Sequence, residues 1–230
     1  MTTSSSKNFE LDVAEYIEEA FERCGLELRT AYDLKTAKRS LNLLLAEWAN
    51  RGLNQWTISQ TAIALTQGTA SYSLDATNPT AVIDVLDAFI RRTTNGTASD
   101  LQMNQISRSE YAAVPDKVSQ GRPSQYFVDK QISPVIYLFN APENSTDVLY
   151  VNRLMRMDDV DASTNTLEMP FRFYPCLSAG LAYYLSLKKA PERTGMLKQL
   201  YEEEFQRALS QDEDRASFRA TPDLRSYNHA

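Results

Sequence analysis

The spacing of apolar residues along the chain changes twice, from three- and four-residue steps to alternation and back, which predicts helices, then strands, then helices again. Val13, Ile17, Ala20, Phe21 and Cys24 follow helical steps, with Glu15, Glu18, Glu19 and Glu22 on the opposite face and Gly25 as a stop. A second helix is expected from about Thr30, where Asp33 completes a capping-box-like arrangement, to about Asn50. Leu34, Ala37, Leu41, Leu44 and Trp48 form its apolar stripe, and Gly52 suits the left-handed turn that closes it before Trp56 leads into a strand. The short connection between these two helices predicts antiparallel packing.

From Gln55 to about Glu168 the chain turns to short segments rich in Thr, Ile, Val and Tyr, punctuated by Gly, Asn, Asp and Pro. Candidate strands cover 57–66, 70–74, 81–92, 100–106, 124–129, 134–140 and 148–154, with a short helix over 107–113. Asn95-Gly96 reads as a hairpin turn, because both residues tolerate positive φ. In 134–140, Ile136 and Leu138 alternate with Val135, Tyr137 and Phe139, so both faces are apolar; one is expected to cover the core and the other to meet a neighbour. Helical spacing resumes at 171–175, where Pro175 fits only near a helix start, and continues through Leu177, Leu181, Tyr184 and Leu185. Ala190-Pro191 interrupts it, and a last helix from about Glu192 to Gln211 presents Leu197, Tyr201, Phe205, Ala208 and Leu209 on one side. The predicted fold is α+β: a helical platform from residues 9–54 and 169–213, a β-rich lobe over 55–168, a disordered start over 1–8 and an extended tail over 214–230.

Composition narrows the functional classes. With 230 residues, 43% hydrophobic and 23% charged, the chain has ordinary globular values and enough length to bury a sizeable core. A formal net charge of −6 argues against a surface that grips nucleic acid through its phosphates. Cys24 and Cys176 sit in apolar stripes and read as small buried groups rather than a disulfide. The start lacks the apolar core of a signal peptide, and no run approaches the roughly 18 apolar residues of a membrane span. Assembly in a reducing cytoplasm, with no membrane partner, is expected.

Candidate chemistry is sparse. The single histidine, His229, cannot complete a triad or a metal-ligand set. The seven glycines form neither a dinucleotide nor a P-loop fingerprint. Glu18 and Glu19 are adjacent on a helix and point apart, while Asp158, Asp159 and Asp161 lack the glycine and terminal glutamate of an EF-hand and read as a charged loop. Lys35, Lys38 and Arg39 form a compact basic cluster, either a solvated face or a salt-bridging patch toward an acidic neighbouring subunit. No catalytic, cofactor or metal site is expected, and a carboxylate-pair hydrolase is the weakest of the functional readings.

Three motifs, in order, carry a resemblance. They are the Leu41–Trp56 run with its Glu47-Trp48, Gly52 and Trp56; Gly121-Arg122-Pro123-Ser124-Gln125-Tyr126 followed by the strands around Ile136 and Leu149; and Met169-Pro170 re-entering a helix. Together they resemble the head-to-tail adaptors of short-tailed bacteriophages, of the tail tubular protein A, tail accessory or connector type. The resemblance implies a structural, non-enzymatic virion protein. It implies a homo-oligomeric ring of twelve copies that docks on the portal protein, meets a downstream tail or nozzle protein, and passes double-stranded DNA through its lumen without specific recognition. It also implies a platform core including Leu41, Leu44, Trp48, Gly52 and Trp56, and a portal-docking tail anchored by Phe218, Arg219, Leu224, Arg225 and Tyr227. The alternative is an assembly chaperone or scaffold absent from the finished particle.

Overall fold

A computed structural model describes residues 6, 9–51 and 55–212. Gly52, His229 and the tail residues Phe218, Arg219, Leu224, Arg225 and Tyr227 lie outside them. The fold is α+β, with N- and C-terminal helices flanking a strand-rich region.

Helix α1 (Val13–Arg23) opens on a capping box, in which the Asp12 carboxylate accepts the Glu15 amide and Glu15 accepts the Asp12 amide, each at 2.9 Å. Helix α2 (Ala31–Arg51) opens on the expected Thr30–Asp33 pair, whose backbone N–H groups donate to each other's side chains at 3.1 and 3.2 Å. Helix α4 (Tyr174–Lys189) follows a 3-10 turn and carries Pro175 in its first turn, where a missing N–H costs no hydrogen bond. Helix α5 (Thr194–Asp212) closes the described chain.

α4 is the axis of the platform, and α1, α2 and α5 all pack on it. Trp48 lies against Phe173 with ring centroids 5.7 Å apart, while Lys188 near the other end of α4 donates to Ser40 at 2.7 Å, so α2 runs antiparallel to α4. Tyr16 meets Tyr174, and the Cys24 thiol reaches the Ala182 carbonyl at 3.3 Å, so α1 runs parallel to it. α1 and α2 are thus antiparallel, as expected, but each rests mainly on α4 rather than on the other. Gly180 permits close packing of the helices: a methyl there would come within 2.9 Å of both Leu44 and Tyr201. Cys24 and Cys176 are separate, buried free thiols.

The lobe contains β1 (Ile58–Ala64), β2 (Ser71–Ser73), β3 (Val82–Thr94), β4 (Thr97–Gln102) and β5 (Asn104–Gln105). After the short helix α3 (Arg108–Ala113) come β6 (Gln120–Gly121), β7 (Gln125–Asp129), β8 (Val135–Phe139), β9 (Ala141–Pro142) and β10 (Val148–Met155). One sheet has the order β1-β10-β3-β4, a second β2-β8-β7-β5, and β6 and β9 form a parallel pair. Asn95 and Gly96 adopt φ of 52° and 79° and turn β3 into β4, as the hairpin signal predicts. β4 nonetheless starts three residues earlier than its apolar content suggests, because backbone pairing with β3 carries a strand whose six side chains are all exposed.

Two hydrophobic cores result. One joins the helices and includes Val13, Ile17, Phe21, Leu41, Trp48 and Tyr201; the other joins both sheets of the lobe through Ile90, Tyr126, Ile136, Leu138, Leu149 and Val151. The second face of β8 turns inward to the same chain: Tyr137 lies 5.6 Å from Tyr111 of α3 and 6.0 Å from Phe127. Part of the cover on this face is thus supplied from within the lobe by α3, while Val135, Tyr137 and Phe139 remain half-buried.

Candidate interaction surfaces

The C-terminal half of α2 places Glu47, Trp48 and Arg51 against α4 and α5. Trp48, fully buried, donates its indole N–H to the Tyr201 hydroxyl at 2.8 Å. That hydroxyl lies 3.3 Å from Glu47, which also accepts from Tyr184 at 2.9 Å. Arg51 bonds Glu47 and reaches Glu202 of α5 through two donors, at 2.7 and 2.8 Å. Its guanidinium also sits over the Tyr201 and Phe205 rings. Burial, reinforced by the Glu47 carboxylate, pushes the Tyr184 phenol up to about 12 and raises Tyr201 as well, so both remain neutral donors. The Arg51 partner holds Glu202 below the usual carboxylate range. The network fixes three helices in one register.

Leu41 and Leu44 are buried beside Trp48, and Trp56 packs on Phe173 with a centroid separation of 4.3 Å. Trp56 thereby ties the entry to the lobe onto the platform. The return segment between β10 and α4 is stitched to both N-terminal helices. Asn42 exchanges two hydrogen bonds with the Val160 backbone at 2.8 and 3.1 Å, and Lys38 donates to the Asp161 carbonyl at 3.0 Å. Val13 and Ala14 donate their amides to Asn165 and Ser163. Of the basic cluster, Lys38 is therefore engaged within the chain, while Lys35 and Arg39 are exposed. The aspartates of the loop are similarly local: Asp159 pairs with Arg156 and Asp161 accepts from Asn165 at 2.7 Å.

In the lobe, Arg92 of β3 makes a two-sided contact with Asp147, whose side chain is 2% exposed, and also pairs with Glu143. Burial alone would raise the Asp147 carboxyl, but Arg92 and Asn144 outweigh it and hold it below the usual range. This cluster pins the turn before β10. It has no signature in the sequence, because its members are separated by about fifty positions and only the fold unites them.

The outer surface has apolar residues at both extremes. Ile132, in the β7–β8 turn, is 86% exposed and Val118, in the loop before β6, is 74% exposed; on the platform, Tyr32, Leu43, Leu187 and Met196 face solvent. Among the described residues no group of three or more His, Cys, Asp or Glu side chains gathers to hold a metal ion. No described helix is long and apolar enough to cross a membrane.

The helical platform and the two-sheet lobe each carry exposed apolar residues and no gathered reactive group among the described residues. Residues 11–225 match the family model described as SU10 adaptor protein. The chain belongs to that family, whose members are phage head-tail adaptors and structural rather than enzymatic proteins. A search of curated proteins gives no match.

Proposed function

We propose that this chain is the head-to-tail adaptor of a tailed bacteriophage, assembling as a ring of twelve copies between the portal and the next tail component and continuing the DNA channel. The family match over residues 11–225 carries this reading. The separation of exposed apolar residues onto a platform and a lobe supports it, because cyclic assemblies use head-to-tail contacts between different faces of one chain. Lys35 and Arg39 are the proposed charge contacts to an acidic face of the adjacent subunit. The tail, with Phe218, Arg219, Leu224, Arg225 and Tyr227, is the proposed portal-docking element; sparse apolar and charged anchors offset the entropy lost when such a segment orders. The acidic balance of the chain suits a lumen that repels passing DNA rather than binding it.

Electron microscopy and native mass measurement of the purified chain, with and without portal, test the assembly. A closed ring with portal is expected, at a stoichiometry of twelve. Quantitative mass spectrometry of purified virions tests the role: stoichiometric presence is expected, and absence from finished particles would overturn the adaptor reading in favour of an assembly chaperone.

A further inference from the structure

A groove of about 430 Å³ runs along α1 to the first turn of α4. Phe9, Leu11, Tyr174 and Pro175 give it apolar walls, and Glu15, Glu18, Glu19 and Glu22 give it an acidic rim in which Arg23 is the one cation among the described residues. Glu15 is held in the α1 cap and Glu19 pairs with Arg23 at 2.7 Å. Glu18 and Glu22, one helical turn apart, are exposed, as is the capping Glu15. Phe9 is 72% exposed, a large aromatic surface left open to water beside that rim.

The route of the chain supplies an occupant. Asp212, the last residue of α5, is 7% exposed and ion-paired with Arg172, two residues before the Tyr174 that walls the groove. The polypeptide therefore leaves α5 beside the groove's α4 end. The following residues, 213–230, open on Glu213 and Asp214 and then carry Arg215, Phe218, Arg219, Leu224 and Arg225, with Asp223 the one acid after Arg215. The six residues from Asp212 to Phe218 span about 20 Å when extended. The rim from Glu15 to Glu22 is only about 10 Å long at the helical rise. The reach of the chain and the Arg215, Phe218, Arg219 spacing match an apolar groove with an acidic rim. Residues 1–8 offer one lysine and no aromatic side chain, and so lack those features.

We propose that this groove seats the chain's own C-terminal segment, with Phe218 against the apolar walls and Arg215 and Arg219 facing Glu18 and Glu22. In the isolated protein this intramolecular contact occupies the anchors that the portal reading assigns to docking, so a partner must compete for them. The proposal concerns the chain before any partner is met and stands whether or not the tail later engages a portal.

Hydrogen exchange by mass spectrometry on the full-length chain, at low and high protein concentration, tests it. Protection of residues 214–222 is expected at both concentrations in a monomer. Phe218→Ala, and separately Glu18→Lys with Glu22→Lys, should each reduce that protection about tenfold. Adding Arg215→Glu and Arg219→Glu to the reversed rim should restore it, which a general loss of folding would not allow. Exchange of the segment at the unprotected rate in the wild-type chain, or protection indifferent to rim reversal, would refute the proposal. Protection that appears only with rising concentration and increased mass would refute the intramolecular seat and place the tail in a second copy.

Discussion

Replacing Tyr201 by Phe removes one oxygen from the centre of the platform and leaves the packing of three helices otherwise intact. The lost hydroxyl accepts the Trp48 indole N–H at 2.8 Å, and Trp48 is 0% exposed, so no water can take its place without moving a helix. An orphaned buried donor costs about 1–3 kcal/mol, and a loss near 2 kcal/mol is expected here. For a chain of this length that is a fall in melting temperature of about 4–8 °C. Urea titration followed by tryptophan fluorescence is a direct assay, because Trp48 and Trp56 are the protein's two tryptophans and both pack on the platform. The midpoint should fall with an unchanged slope. In a Trp48→Phe background the same Tyr201→Phe substitution should cost at least 1 kcal/mol less than in the wild type, by about the energy of leaving the indole unpaired. A single-mutant loss below about 0.5 kcal/mol, or strict additivity in the cycle, would refute the reasoning.

The remaining predictions concern charge, an unpaired hydroxyl and close packing. Arg92→Ala leaves the Asp147 carboxylate, 2% exposed, without its cation and should destabilise the lobe by about 3 kcal/mol, read by thermal circular dichroism. Asp33, held low first by its Lys189 partner and then by Thr30, is one of several carboxylates, Asp147 and Glu202 among them, that lie below the usual range. Depressed carboxylates contribute stability above the ordinary carboxylate range and lose it as pH falls through their folded values, so melting temperature should hold at neutral pH and drop below about pH 4. Tyr16→Phe removes a buried hydroxyl that has no hydrogen-bond partner among the described residues, so stability should be unchanged or rise by up to about 1 kcal/mol in the same titration. Gly180→Val forces a branched side chain toward Leu44 and Tyr201 and should cost at least about 2 kcal/mol, lowering the urea midpoint.

Local signals gave the elements their places. The Thr30–Asp33 cap, the Asn95-Gly96 turn and the position of Pro175 each act within a few residues, and the structure has all three. The long strands were legible through alternation, but β6 and β9 have two residues each, too few for any period to register. That α4 is the hub of the platform depends on how four similar apolar stripes share one core, which no single stripe records. The contacts that join the parts were equally hidden. Asn42 reads as one polar residue on a helix, yet it exchanges two bonds with a backbone 118 positions away. The groove on α1 was half visible: its glutamates appeared as a solvated face, while the aromatic walls came from Phe9 and Tyr174 on separate segments. The basic cluster shows the converse, since helical spacing grouped Lys35, Lys38 and Arg39, but the fold draws Lys38 alone toward Asp161.

The first residue of β1 and the penultimate residue of β10 are register partners, Ile58 opposite Leu154. The polypeptide thus departs from the helices and comes home through a single doorway two strands wide. A module hung from such a doorway is interchangeable: its outer turns can grow, shrink or be traded for another sequence while the helices behind keep their register.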